Sequence, residues 1–175
     1  MEIRDPDGRA LPAGEPGEIC IHSAANSRAY WNRPEDTRDT LSDGWLKTGD
    51  VGYLDEEGFL FIVDRIKDIV IRGGENISCI EVESAISAHE SVHEVAVFSA
   101  PHKRLGETAA AVVYVLPEAT VSGPDIQSWL EGKLAKFKIP EYVLILQEQL
   151  PRLASGKLDK RSSREMLLRH FKIET

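Results

Sequence analysis

The stretch V-D-R-I-K-D-I-V-I-R-G-G-E-N, residues 63–76, divides this sequence into two textures. Upstream of it, VGYL (51–54), the turn DEEG (55–58) and FLFIV (59–63) read as a β-hairpin, because short apolar runs flank a tight acidic turn that ends in glycine. GEICIHS (17–23) alternates as a short strand. Pro34 sits where a first helical turn begins, with EDTRDTL behind it. Residues 3–17 are dense in Pro, Gly and Asp and predict turns without a core, so the chain reads as if it starts inside a larger fold. The upstream strands are expected to find few partners within the chain and to belong to a larger sheet.

Downstream of residue 63 the pattern changes. Residues 66–71 are β-branched and apolar up to Gly73-Gly74. Ser78 then precedes Ile80, Val82, Ala85 and Ile86 at helical spacing, with Glu81 placed for a capping box. Residues 92–100 and 109–116 are strands, the second nearly all apolar and so expected at the sheet centre. Ser122 or Asp125 opens a helix that carries Ile126, Trp129, Leu130, Leu134 and Phe137, with Pro140 beyond its end. Residues 142–146 are a strand, and a final helix runs from about Asp159 to His170. The order β-α-β-β-α-β-α predicts an α+β domain, a short sheet flanked by helices.

Composition narrows the function. The 175 residues are 42% hydrophobic and 29% charged, a globular composition, and no run of about 20 apolar residues suggests a helical membrane span. No basic segment followed by an apolar one opens the sequence, so no secretory leader is expected. Cys20 and Cys79 lie far apart and fit neither a disulfide framework nor a CxxC site, so a reducing cytoplasm is the expected setting. The net charge of −8 argues against non-specific nucleic-acid binding. That total hides a gradient: residues 150–175 carry +4 and the remainder −12, so the tail is either a solvated basic face or a surface that meets an anion such as phosphate. The five histidines have no metal-ligand spacing and read as surface or strand-end residues, and Trp31, Trp45 and Trp129 read as packing residues.

Three motifs carry chemistry. WLKTGD (45–50) ends in a carboxylate directly after a glycine, which is a common turn but also a way to accept hydrogen bonds from two vicinal hydroxyls. In DRIKDIVIRGGEN (64–76), Arg65 and Lys67 flank the change of texture. Gly73-Gly74 is open to two readings, a hairpin turn or a glycine pair whose backbone lets a ligand approach or nests an anion. It lacks the spacing of a phosphate-binding GxxxxGK[ST] loop. In LPRLASGKLDKR (150–161), Lys157 ends a small flexible loop before a helix and can reach an anion as a mobile point charge.

Together, in this order and at these intervals, TGD, DRIKD with RGGEN, and PR-x-ASGKLDK resemble the adenylate-forming superfamily of acyl-CoA synthetases, peptide-synthetase adenylation domains and beetle luciferases. The likeness runs from DPDGRALPAGEPGEI through the last helix. It implies that residues 1–65 are the β-rich edge of a large adenylation domain and residues 66–175 a small mobile C-terminal domain, with a hinge near Lys67. It implies ATP, with Mg²⁺ carried by the nucleotide, a carboxylic acid, expected to be fatty or aryl, and CoA as thiol acceptor. Asp50 matches the family's ribose-binding aspartate and Arg65 its nucleotide-contacting arginine. Gly73 and Gly74 match the glycines along the pantetheine path, and Lys157 the lysine that bridges the carboxylate and α-phosphate. The glycine-rich ATP phosphate loop and the acyl pocket of the family do not occur here, so an N-terminal part of the same enzyme is an implied partner and the fragment alone is expected to be inactive.

The sequence also departs from parts of the family. Ile71 stands where luciferases carry a second lysine, and Arg72 replaces a small residue. Ile139 and Glu141 stand where some CoA ligases are basic, so CoA phosphate binding carries over only loosely, to Lys136 and Lys138. Two alternatives stay open: a stand-alone adenylation domain that loads an acyl carrier protein, and a non-catalytic domain that docks a partner.

Overall fold

A computed structural model describes residues 1–116 and 118–174. Packing divides the chain into two compact units, Met1–Lys67 and Asp68–Thr175.

In the first unit, among the described residues, strands β1 (Glu2–Arg4), β2 (Gly17–His22), β3 (Leu41–Ser42), β4 (Trp45–Leu54) and β5 (Leu60–Arg65) form one antiparallel sheet. Helix α1 (Pro34–Thr40) lies between β2 and β3, with Pro34 in its first turn as expected. Each of these strands finds a partner within the chain, where few were expected from sequence. The reason is β4, which starts at Trp45 rather than Val51: Lys47 and the Thr48-Gly49-Asp50 interruption break its alternation and hide half its length. Residues 3–17 do reach a core, since Ile3 is buried opposite Ile19 in a strand too short to show a period. Glycine is required at Gly52, where a Cβ would sit 2.5 Å from the Phe61 carbonyl oxygen. Trp45 packs, under the Arg4 guanidinium, but Trp31 does not: it is 97% exposed.

The second unit has three layers. β6 (Val70–Arg72) and β7 (Glu75–Ile77) form a hairpin attached at Gly106 to a mixed sheet in which β9 (Gly106–Val115) is central, antiparallel to β8 (Val92–His102) and parallel to β10 (Tyr142–Leu146). Strict alternation along β9 builds both cores. Ala109, Ala111, Val113 and Val115 face α2 (Cys79–Ser87) and α3 (Gly123–Leu130), and Ala110 and Val112 face α4 (Lys160–Phe171). Ser78 caps α2, as expected, by accepting the Glu81 N–H, an interaction worth about 1 kcal/mol. The helix expected to reach Phe137 ends at Leu130, because Glu131 is extended and Gly132 takes φ +78°. Leu134 and Phe137 still join the core through a 3₁₀ turn at Lys136–Lys138. Strand β7 was not expected from sequence, where three residues between glycines and a cap show no period.

An ion cluster ties the two helical layers across β8. The Lys160 ammonium meets Glu83 at 2.8 Å and Asp68 at 3.7 Å, and Glu83 also accepts the Val97 N–H at 2.8 Å. Burial opposes the charge on Lys160, but the hydrogen bond and charge of Glu83, with that of Asp68, outweigh it and hold the ammonium above its ordinary 10.5. A raised value stabilises the fold below the unfolded pKa, and the contribution is lost as pH rises through the folded one. Urea melts should therefore show the chain losing stability above about pH 10.5. At neutral pH, Lys160→Met should cost about 1–3 kcal/mol by stranding Glu83, and that variant should lose only the Lys160 share of the high-pH decline, since burial also raises the Cys20 thiol and the Tyr142 phenol.

Candidate active site

In the first unit, Thr48-Gly49-Asp50 forms a bulge: Lys47 pairs with Cys20 and Val51 with Glu18, so three residues of β4 stand opposite Ile19 alone. Thr48 Oγ1 donates to the Ile19 carbonyl at 2.9 Å and accepts the Asp50 N–H at 3.1 Å. Gly49 takes φ +75° and donates its N–H to Glu18 at 3.1 Å. Asp50 is therefore a strand residue presented by a bulge, not a residue of the turn before a strand as its sequence suggested. Across the ladder it pairs with Arg65, whose Nε donates to Asp50 Oδ1 at 3.0 Å. The Asp50 side chain is 29% exposed and that of Arg65 67%. The buried Asp64 accepts the Arg65 N–H at 2.7 Å, fixing the backbone from which the guanidinium extends. A carboxylate has about four acceptor directions and a guanidinium five donors, so one mutual bond leaves both groups able to serve a ligand. Beside them a cleft of about 670 Å³ is lined by Tyr30, Thr48, Gly49, Arg65 and Lys67, among others. Lys67 itself is exposed within a 3₁₀ turn, Ile66–Asp68.

In the second unit, Gly73 and Gly74 form the two-residue turn of the β6–β7 hairpin, with φ +60° and +95°. The Gly73 N–H donates to the Leu105 carbonyl at 2.9 Å, so this amide is not part of an anion nest, and the hairpin-turn reading holds. At Gly74 a Cβ would meet nothing within 4 Å among the described residues, which leaves the turn open to close approach from outside. Arg72 Nε is turned to the buried Thr108 hydroxyl at 3.2 Å. Lys138 is held by both Glu81 oxygens at 2.7 Å, while Lys136 lines a cleft of about 690 Å³ together with Arg72, His102, Glu131 and Glu141.

Lys157 lies on a tight loop between β10 and α4. Within the loop the Leu153 N–H donates to the Lys157 carbonyl at 2.9 Å, the Gly156 N–H to the Leu153 carbonyl at 2.9 Å, and the Asp159 N–H to the Pro151 carbonyl at 2.8 Å. Asp159 then caps α4, accepting the Ser162 N–H and hydroxyl, and these bonds hold its carboxyl below the ordinary range. The Lys157 side chain is exposed, and among the described residues no acceptor engages its ammonium. Glu94 also reaches this loop, through Leu150 and Arg152; Arg152 belongs to the motif at 150–161, but neither residue was assigned a role from sequence. The one available signal was a carboxylate within the apolar run of β8.

Among the described residues no group of three His, Cys, Asp or Glu side chains could hold a metal ion. His22, His89, His93 and His170 lie against aromatic rings.

Residues 81–157 match the family described as the AMP-binding enzyme C-terminal domain. The fatty acid–[acyl-carrier-protein] ligase ScoC of Streptomyces coeruleorubidus is 41% identical over 94% of this chain and 31% of its own length. The long-chain-fatty-acid–CoA ligase FadD13 of Mycobacterium tuberculosis is 44% identical over 94% of the chain and 32% of its own length. Among solved structures, ATP-bound MatB from Rhodopseudomonas palustris superposes with a TM-score of 0.86 at 39% identity, covering 94% of this chain and 33% of that one. The chain thus spans about a third of the length of the curated relatives it matches. It belongs to the adenylate-forming superfamily, and residues 81–157 are its AMP-binding enzyme C-terminal domain.

Proposed function

We propose that the chain is the C-terminal part of an ATP-dependent acid–thiol ligase, which joins a carboxylic acid to ATP as acyl-adenylate and pyrophosphate and then passes the acyl group to the CoA thiol with release of AMP. The observation that carries this reading is Lys157, an exposed ammonium with no acceptor among the described residues, on a loop closed by its own hydrogen bonds. Attack of a carboxylate on a phosphate brings two anions together, and a pre-placed cation offsets that repulsion as charge spreads in the transition state. Asp50 accepts the vicinal hydroxyls of the ribose, and Arg65 orients Asp50 and donates to the nucleotide. Mg²⁺ accompanies ATP as part of the substrate. Residues 1–65 serve as the edge of the adenylation domain, and residues 66–175 turn about Lys67 between the two half-reactions. That turn takes Lys157 away and brings Gly73 and Gly74 to the path of the thiol.

A fatty acid is the substrate class favoured by the likeness to ScoC and FadD13. The likeness to ScoC also supports a second acceptor, the phosphopantetheine thiol of an acyl carrier protein. We place the enzyme in the cytoplasm. Among the described residues no helix is long and apolar enough to cross a membrane, and Cys20 and Cys79 are both buried.

The test is acid-dependent exchange of pyrophosphate into ATP by the full-length protein. Asp50→Ala should raise the KM for ATP about 10- to 100-fold, the worth of one or two charge-assisted hydrogen bonds. No exchange with a panel of fatty and aryl acids, or an unchanged KM in Asp50→Ala, would overturn the reading. The 175-residue chain by itself should release no pyrophosphate above a Lys157→Ala control.

A further inference from the structure

We infer that Glu94 and Arg152 act as one positioning device for Lys157. This rests on the role proposed for Lys157 above. The loop's internal bonds set its shape but not its direction, because they all run between residues 151 and 159. Leu150 and Leu158, at the two ends of the loop, pack against the sheet, and the polar tie between loop and sheet is a carboxylate on β8. Glu94 is 12% exposed in its side chain, next to the core residues Val95, Ala96 and Val97. A carboxylate so placed is costly unless its oxygens are engaged, and both are. Oε2 accepts the Leu150 N–H at 3.1 Å, where the chain enters the loop. Oε1 is paired with Arg152 Nη2. The other arm of the same guanidinium, Nη1, donates to the Gly156 carbonyl at 2.8 Å. One side chain of the sheet thus holds the entry to the loop and, through Arg152, the residue immediately before Lys157.

The choice of residue types fits this task. A guanidinium is a planar fork that satisfies two acceptors in fixed directions, whereas a lysine at the same place is a single mobile charge. Neither Glu94 nor Arg152 is proposed to touch substrate. They limit where the Lys157 ammonium can go, and a misplacement of about 1 Å at a reacting centre can cost on the order of 10²-fold in rate.

The test uses the full-length enzyme with Glu94→Gln, Arg152→Lys and the double variant, and Lys157→Ala in parallel. Both single variants should lower kcat for adenylation by about 10-fold or more, with the KM for ATP within about twofold of wild type. Thioester formation from supplied acyl-adenylate should stay within about twofold, and the double variant should be no slower than the worse single one, as for residues acting as a unit. Equal losses in both half-reactions would mark a merely structural role and overturn the proposal, as would additive losses in the double variant. If Lys157→Ala abolishes adenylation while Glu94→Gln and Arg152→Lys leave it intact, the positioning proposal falls and the role of Lys157 stands. If Lys157→Ala itself leaves adenylation intact, the underlying reading falls. Should Glu94→Gln fail to fold, Arg152→Lys, at a side chain 43% exposed, decides the matter.

Discussion

Replacing Lys157 with alanine in the full-length enzyme is expected to slow adenylation by at least about 10²-fold, the typical loss when one pre-placed group at a developing charge is removed. Thioester formation from preformed acyl-adenylate should be nearly unchanged, because the proposed rotation has carried the loop away before that step. The two half-reactions are separable: pyrophosphate release reports the first, and CoA consumption from supplied acyl-adenylate the second. Equal losses in both would detach Lys157 from the first step. Two neighbouring cations offer no substitute. Lys160, three residues on, is already committed to Glu83 and Asp68, and Arg152 to Glu94 and the Gly156 carbonyl, so neither cation is available to take over.

The second large effect is expected at Lys67. Its side chain is exposed in the 3₁₀ turn between β5 and β6, so a substitution there removes little packing. Proline fixes φ near −65° and takes away one backbone freedom at the proposed pivot. Lys67→Pro should therefore reduce thioester formation by at least about 10-fold while adenylation keeps most of its rate, because the adenylating orientation is trapped. A wild-type rate of thioester formation from supplied acyl-adenylate in this variant would move the hinge elsewhere.

How far the sequence could be read varied by region, for physical reasons. β8, β9 and β10 were legible because strands buried on both faces are nearly continuous apolar runs. The first half of β4 was not, because a bulge has no period and its Gly49 and Asp50 mimic a turn. α3 looked a turn and more too long because Leu134 and Phe137 keep helical spacing while reaching the same core along a non-helical path. Asp50, Arg65 and Lys157 were legible as motif members by resemblance, but their setting was not: the Asp50–Arg65 bond spans two strands, and the pairing of Glu94 with Arg152 joins residues 58 positions apart. Contacts of that range leave no local pattern.

The placement of α4 has a consequence for biosynthesis. Ala96, Phe98, Ala100, Ala110 and Val112 form one face of the sheet, and Leu167 and Leu168 cover it. Until α4 has emerged and docked, that face lacks its cover and is available to a chaperone or to another nascent chain. Emergence of Leu167 and Leu168 closes it. The Lys157 loop leads directly into that helix, so it is translated just before the segment that seals the core. A nascent chain therefore has its second unit closed at nearly the same moment that it can first present Lys157 in its final setting.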